Sequence, residues 1–389
     1  MGRGDRHDQL RDRDADEFAA AAGLSRRTGP VSARSRGLIG LGIGLAAAGV
    51  ATAAGVAADR VLRARKDKET DVAEEELDPS GAVVVADDGV PLYVEIDDQD
   101  DPVATVVLTH GYAHNQALWS RQRGAIHDAG YRVVAWDLRG HGRSGEGDDS
   151  SYTIAQLGRD LATVIDRTTP EGPIVLIGHS MGGMAIMALA QERPELVRDR
   201  VVGVALISTS AGGLTEVNYG LGRQLGGVVH RLGPAAVSRV GRRQELFNSA
   251  RSLGRNVESV LVHRYSFGGP VPAGVVREVA DMIFATRMHV IGAFMPTLMA
   301  YDGRAALPML AGIETLILHG TRDRITPIEH GERLAQELPG AELVVVENAG
   351  HVLPLEDPEL VTRELLEFLR RATRASVDTE VSQSDSATS

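Results

Sequence analysis

Six short runs rich in Val, Ile and Leu recur between Val103 and Asn348, and they constrain the fold more than any other feature of the chain. They read VATVVLTH, YRVVAWD, PIVLIGH, RVVGVALIST, TLILHG and ELVVVEN. Near-continuous β-branched and Leu runs are what a strand needs when both of its faces are covered. Polar, amphipathic stretches separate them, at Gln116–Ala129, Ile154–Arg167, Met181–Pro194 and Glu329–Leu338. A last such stretch runs from Pro358 to Arg371. Strands alternating with helices specify an α/β fold with a mostly parallel central sheet and helices on both faces. Ahead of this series, GAVVVADDGVPLYVEI reads as two strands joined by a turn at Asp88-Gly89, a short-range hairpin signal. The alternation lapses from 211 to 306, where Gly-rich turns, scattered aromatics and helical stretches carry no comparable strand. This interval is expected to form an inserted helical cap above the C-terminal edge of the sheet, where open α/β sheets place their sites. The core is therefore expected over 81–210 and 307–373, followed by a disordered polar tail over 374–389.

The N-terminal part has a different character. Residues 1–37 are rich in Arg, Asp, Gly and Ser without apolar periodicity, and are expected to be disordered. Leu38–Ala58 follows as 21 residues without a charge, long enough for a membrane-crossing helix of about 20 residues. It is only weakly hydrophobic, with eight Ala and five Gly against seven Leu, Ile and Val. Membrane association through this single segment is the expectation, with a cleaved signal peptide or an Ala-rich soluble helix as alternatives and secreted or cytoplasmic locations to match. Basic residues flank both ends, so the orientation is open. Residues 59–80 read as a linker.

The chemistry-bearing residues sit at the ends of the strands. Gly178-His179-Ser180-Met181-Gly182 falls between an apolar strand and a helix, the context in which a sharp turn exposes a serine hydroxyl at the top of a sheet. A serine is a weak nucleophile without an adjacent base. His351 follows the last strand, and only histidine has an unperturbed pKa suited to taking and returning a proton near neutrality. The base needs an acid to fix its tautomer, and Asp323 lies just past the preceding strand. Glu314 and Glu329 are its neighbours in sequence, while 207–214, after the strand before, holds no carboxylate through Leu214. A developing oxyanion would need two donors. The backbone N–H groups of Met181 and Tyr112, the latter in His110-Gly111-Tyr112, hold the expected positions. His110 could brace that loop, and His114 and Asn115 could face the pocket or water.

These motifs, in this order, resemble the α/β-hydrolase superfamily, and specifically its cap-bearing branch of esterases, lipases, perhydrolases and epoxide hydrolases. The matching segments are HGY at 110–112, DLRGHGRS at 137–144, GHSMGG at 178–183, GTRDRITP at 320–327 and NAGHVLP at 348–354. The resemblance spans about Gly81 to Arg371 and implies a Ser180–His351–Asp323 triad working through an acyl-enzyme. Epoxide hydrolases and haloalkane dehalogenases of this superfamily carry Asp at the elbow; Ser180 points instead to acyl chemistry. In DLRGHGRS, Arg139 and His141 are read as loop braces.

Composition closes off other classes. With no cysteine, the chain can have no disulfide framework, thiol nucleophile or Cys-ligated metal. A net charge of -12 argues against nucleic acid as a partner. No HExxH spacing or phosphate-loop lysine occurs, so no metal or nucleotide cofactor is expected. The expected partner is a small-molecule ester. Met282, Met288, Met295 and Met299, with Phe284 and Phe294, could receive an apolar acyl chain or equally pack the cap's own core. Two alternatives stand beside carboxylic-ester hydrolysis. One is perhydrolysis or acyl transfer by the same triad; the other is a catalytically silent binding protein on the same fold.

Overall fold

The computed structural model describes residues 81–216 and 251–387, with side chains for 81–215 and 259–374. The expected N-terminal tail, Leu38–Ala58 and the linker lie outside the described residues, as does the part of the cap interval from 217 to 250.

Eight strands form one sheet: β1 (Gly81–Val85), β2 (Pro91–Asp97), β3 (Thr105–Thr109), β4 (Arg132–Trp136), β5 (Ile174–His179), β6 (Val201–Ile207), β7 (Glu314–Gly320) and β8 (Glu342–Val346). Their order is β1-β2-β4-β3-β5-β6-β7-β8. β2 runs antiparallel to both of its neighbours, and every other pairing is parallel. The order reverses at β3, so the loop after β3 and the turn after β5 rise side by side at the C-terminal edge. Such a switch point leaves a crevice above the sheet. Burial follows from strand position. All residues of β3 and β5 are buried, whereas Val83 and Val85 on edge strand β1 are 52% and 58% exposed.

Alternate side chains feed two cores. On one face Val107 and Leu176 join α2 (Ile154–Thr168), α3 (Met181–Glu192) and α4 (Pro194–Arg200). On the other, Val106, Leu108, Val175 and Ile177 meet Ile126 of α1 (Arg123–Asp128) and the final helix. Thr153 starts α2 as its cap, its hydroxyl accepting from Gln156 N–H at 3.1 Å, which satisfies one of the orphan donors of the first turn.

Between β6 and β7 lie α5 (Arg251–Ser266), α6 (Ala273–Ala285) and α7 (Met288–Ala300), then a short turn at Leu307–Leu310. Val290, Phe294 and Leu298 of α7 pack into the first core, and Val276, Val279 and Met282 of α6 into the second. Met282 and Phe294, two of the residues proposed for an acyl pocket, are thus buried in packing at 4% and 0% exposure. α8 (Ile328–Glu337) precedes β8, and α9 (Pro358–Ala387) ends the described chain. α9 corrects one expectation, since it continues through most of the interval taken for a disordered tail. No Gly or Pro occurs between Arg371 and Ala387 to stop a helix once begun. Among the described residues no single helix is long and apolar enough to cross a membrane.

The loop after β4 is locked by a buried ion pair. Arg139, fully buried, donates Nε and Nη2 to the two oxygens of Asp160 at 2.6 Å each, and Nη1 to Asp88 at 2.6 Å. One guanidinium therefore ties the β1–β2 hairpin, the β4 loop and α2 together, in the bidentate geometry that suits arginine. Removing one member of a buried pair costs about 3–5 kcal/mol because the other charge stays behind, whereas replacing both by apolar groups is often neutral. Arg139→Leu is therefore expected to lower the urea unfolding midpoint sharply, and Arg139→Leu with Asp160→Leu to recover much of the loss. An unchanged midpoint in the single variant would contradict the role of the pair.

Candidate active site

The residues singled out in the sequence converge on the C-terminal edge of the sheet. Ser180 is the only residue between β5 and α3, and it makes the turn with φ 52° and ψ −117°. Positive φ is a strained state for a residue with a side chain. Hydrogen bonds from both sides hold it there. Ser180 N–H donates to Ile207 O at 2.9 Å, and Ser180 O accepts from Gly183 N–H at 3.0 Å and from the Thr209 hydroxyl at 2.7 Å.

The flanking glycines explain why the turn is possible. A Cβ at Gly178 would lie 2.6 Å from the backbone of Gly182 and Gly183, and one at Gly182 would lie 2.3 Å from Thr109 O. Strand, turn and helix thus pass within backbone contact of one another. Ser180 is left 8% exposed.

Asp323 and His351 meet. His351 Nδ1–H donates to Asp323 Oδ2 at 2.8 Å, both side chains being almost fully buried. Because a carboxylate only accepts, this bond puts the proton on Nδ1 and leaves the Nε2 lone pair free, the tautomer a general base requires. Asp323 is itself fixed in a tight turn, Oδ1 accepting from Ile325 N–H at 2.8 Å and Thr326 N–H at 2.9 Å. The Thr326 hydroxyl lies 2.9 Å from Oδ2. Burial opposes ionisation of Asp323. The attraction of His351, its hydrogen bond, His319 and the Thr326 N–H outweigh that and hold the carboxyl below the usual carboxylate range.

Ser180 and His351 are linked through His179. Its ring lies 4.9 Å from the His351 ring, centroid to centroid, and its Nε2–H donates to His351 O at 2.9 Å. Among the described residues, no hydrogen bond joins Ser180 Oγ to His351. Contacts of this kind characteristically tighten only with substrate bound.

The expected oxyanion donors lie alongside. Met181 opens α3, where the first N–H groups have no partner within the helix. The loop carrying Tyr112 presses against the elbow, so that a Cβ at Gly111 would meet Ser180 Cβ at 3.0 Å. Among the described residues, neither Tyr112 N–H nor Met181 N–H has a hydrogen-bond partner outside regular secondary structure.

Two histidines brace that loop: His110, for which the sequence suggested the role, and His141, which was read as a brace of its own loop after β4. His110 Nδ1–H donates to Gly111 O at 2.8 Å while Nε2 accepts from Leu138 N–H at 2.9 Å. His141 Nδ1–H donates to Arg139 O at 2.9 Å while Nε2 accepts from Ala113 N–H at 3.1 Å. Each ring must stay neutral to keep its acceptor. Burial ensures it, pushing His110 well below its ordinary value and His141 down to about 4. The Tyr112 hydroxyl reaches across to Ile291 O of α7 at 2.5 Å, fastening the cap over this loop.

Sequence reasoning did not find Glu356. One oxygen of its carboxylate accepts from Gly268 and Gly269 N–H, at 2.9 Å each, and the other from Gly350 N–H at 2.7 Å. It thus clamps the segment after α5 onto the loop that carries His351. A Cβ at Gly350 would lie 2.5 Å from Gly268 N, so the two backbones touch. No local motif marks such a contact, since its partners are 88 residues apart in sequence. The Asp-x-x-Thr spacing of Asp323 and Thr326 was the one available clue to the acid's turn. Among the described residues, no group of three or more His, Asp or Glu is placed to hold a metal ion.

Comparison with known proteins agrees with this fold. The family model described as the alpha/beta hydrolase fold matches residues 104–358. A protein of Variovorax paradoxus named "Putative carbamate hydrolase RutD" is 28% identical over 298 residues, covering 74% of this chain and 99% of its own length. Among solved structures, a thermophilic esterase from Thermogutta terrifontis superposes with a TM-score of 0.58 at 26% identity, covering 75% of this chain and 99% of that one. The enol-lactonase from Burkholderia xenovorans superposes with a TM-score of 0.59 at 25% identity, covering 74% of this chain and all of its own. The chain belongs to the α/β-hydrolase fold family and is a hydrolase of that fold.

Proposed function

We propose that this hydrolase cleaves carboxylic esters through an acyl-enzyme formed on Ser180. One observation carries the reading: a serine held in the left-handed region at the head of a helix shares its sheet edge with a buried carboxylate–imidazole pair. In the proposed reaction Ser180 Oγ attacks the ester carbonyl carbon and His351 Nε2 takes the hydroxyl proton. The carbonyl π electrons move onto oxygen, which the N–H groups of Tyr112 and Met181 stabilise together with the positive end of α3. Collapse breaks the bond to the alkoxy oxygen, and His351 returns its proton to the departing alcohol. Water, deprotonated by the same imidazole, then releases the acid. Asp323 stays ionised and stabilises the imidazolium in both steps.

The solved esterase and enol-lactonase favour an oxygen ester, open or cyclic. The relative named for carbamate hydrolysis makes a carbamate carbonyl the second reading. Removal of a nucleophile or base of this type costs about 10⁴–10⁶ in kcat, and an Asp→Asn change that disturbs the tautomer about 10⁴. Ser180→Ala and His351→Ala are expected to lose 4-nitrophenyl butyrate hydrolysis to that extent, and Asp323→Asn to lose nearly as much, with folding intact by circular dichroism. Wild-type protein inactive on esters but active on an aryl carbamate would favour the second reading. Activity unaffected by Ser180→Ala would overturn both, and a folded wild type without either activity would point to a silent binding protein.

We also propose that Leu38–Ala58 attaches the chain to a membrane, on the strength of its length and lack of charge. The full chain is then expected in the membrane fraction and a chain starting at Gly81 in the supernatant; the full chain in the supernatant would contradict it.

A further inference from the structure

The buried imidazoles around Ser180 are not used alike. Both ring nitrogens of His110 and of His141 are occupied in holding the loop after β3. His114, on the same loop and 5% exposed, has no hydrogen-bond partner at either ring nitrogen among the described residues. Its ring centroid lies 5.6 Å from that of His179, whose Nδ1 is likewise unpartnered among the described residues. His351 and His141 are within electrostatic reach of the same ring.

The backbone holds His114 inward at some expense. Its N–H donates to Gly111 O at 3.2 Å, closing the turn that presents Tyr112, and Ala113 between them is left-handed at φ 57°. A buried polar group without a partner is destabilising, and a left-handed residue with a side chain adds to the strain. A leucine at 114 would fill the space without the first penalty. Burial pushes the ring well below its ordinary value, so it is neutral and offers one N–H donor and one acceptor. An unsatisfied donor beside the reacting centre is a recognition element for an oxygen atom that arrives with the substrate.

Taking the ester-hydrolase reading as given, we propose that His114 is a specificity-determining residue. It hydrogen-bonds a second oxygen of the substrate, close to the scissile carbonyl, and so selects oxygen-bearing esters over plain alkyl ones. A site built to bond a substrate oxygen rejects the analogue that lacks it, because its own buried donor is then left unpaired.

Two ester pairs, in each of which an ether oxygen replaces one methylene, test this. Methoxyacetate against butyrate, as 4-nitrophenyl esters, probes the acyl side. 2-Methoxyethyl against butyl acetate, followed by proton release, probes the alcohol side. The ratio of kcat/KM for the ether and alkyl members is compared among wild type, His114→Leu and His114→Gln, which cancels intrinsic reactivity. In one pair the ratio is expected to fall about tenfold or more in His114→Leu and to recover at least in part in His114→Gln. Ratios that stay constant in both pairs, including a parallel loss for both members, overturn the proposal and leave His114 a packing residue. The wild type supplies an independent reading should the variants fail to fold. Its kcat/KM, divided by the alkaline hydrolysis rate of the same ester, is expected to be higher for the ether member of one pair, and equal or lower values in both pairs overturn the proposal. A wild type that hydrolyses none of the four esters sinks the ester-hydrolase reading and this proposal with it, an outcome distinct from activity without selectivity.

Discussion

The site depends on one backbone turn. A chain that leaves a buried parallel strand and enters a helix one residue later must place that residue in the left-handed region, with its side chain raised above the sheet edge. Ser180 carries the strain, and the surroundings leave it no relaxed alternative. Its N–H is bound to Ile207 on the neighbouring strand, its carbonyl is held by Thr209, and the glycines at 178 and 182 allow β5, α3 and the end of β3 to close to backbone contact. The same turn places Met181 at the head of α3, where its N–H has no partner within the helix. In the proposed mechanism, nucleophile exposure and one oxyanion donor would thus come from a single conformational constraint rather than from separate devices.

Neutral, buried imidazoles support that constraint. In water a histidine would exchange protons near neutrality. Here burial keeps His110 and His141 uncharged, so each can donate from one nitrogen and accept at the other, and together they stiffen the loop that carries Tyr112. The loop carrying His351 is stiffened in another way, by a carboxylate. Glu356 collects three backbone N–H groups from two segments and fixes the histidine loop against the end of α5. Preorganisation of this kind lets a base and its acid meet the reacting centre without reordering.

Much of this was legible in the sequence for a physical reason. Runs such as PIVLIGH and TLILHG are apolar on both sides, which only a covered parallel strand tolerates, and they fix the sheet. The elbow, HGY, GTRDRITP and NAGHVLP lie directly after those runs, so their shared edge follows from the topology. Arg139 and His141 were read as braces because DLRGHGRS resembles the loop that follows the fourth strand in this superfamily. Long-range contacts were not legible. Glu356 sits in the ordinary polar context LEDP, and nothing local announces that it reaches Gly268. The seating of Met282 and Phe294 in the cores was likewise open, because an apolar residue in a helix is compatible with a pocket or with packing. The C-terminal boundary was set too early because polarity alone does not end a helix; Gly or Pro would, and none occurs there.

The central claim is that Ser180 is an activated nucleophile, and a fluorophosphonate probes it directly. Such a reagent transfers a phosphonyl group to a serine only where a base removes the hydroxyl proton and an oxyanion site holds the transition state. Intact-mass and peptide mass spectrometry of the treated protein are expected to find a single adduct on the peptide containing Ser180, absent when the same treatment is applied to His351→Ala. A folded wild-type protein with no adduct, or one labelled at another serine, would contradict the claim.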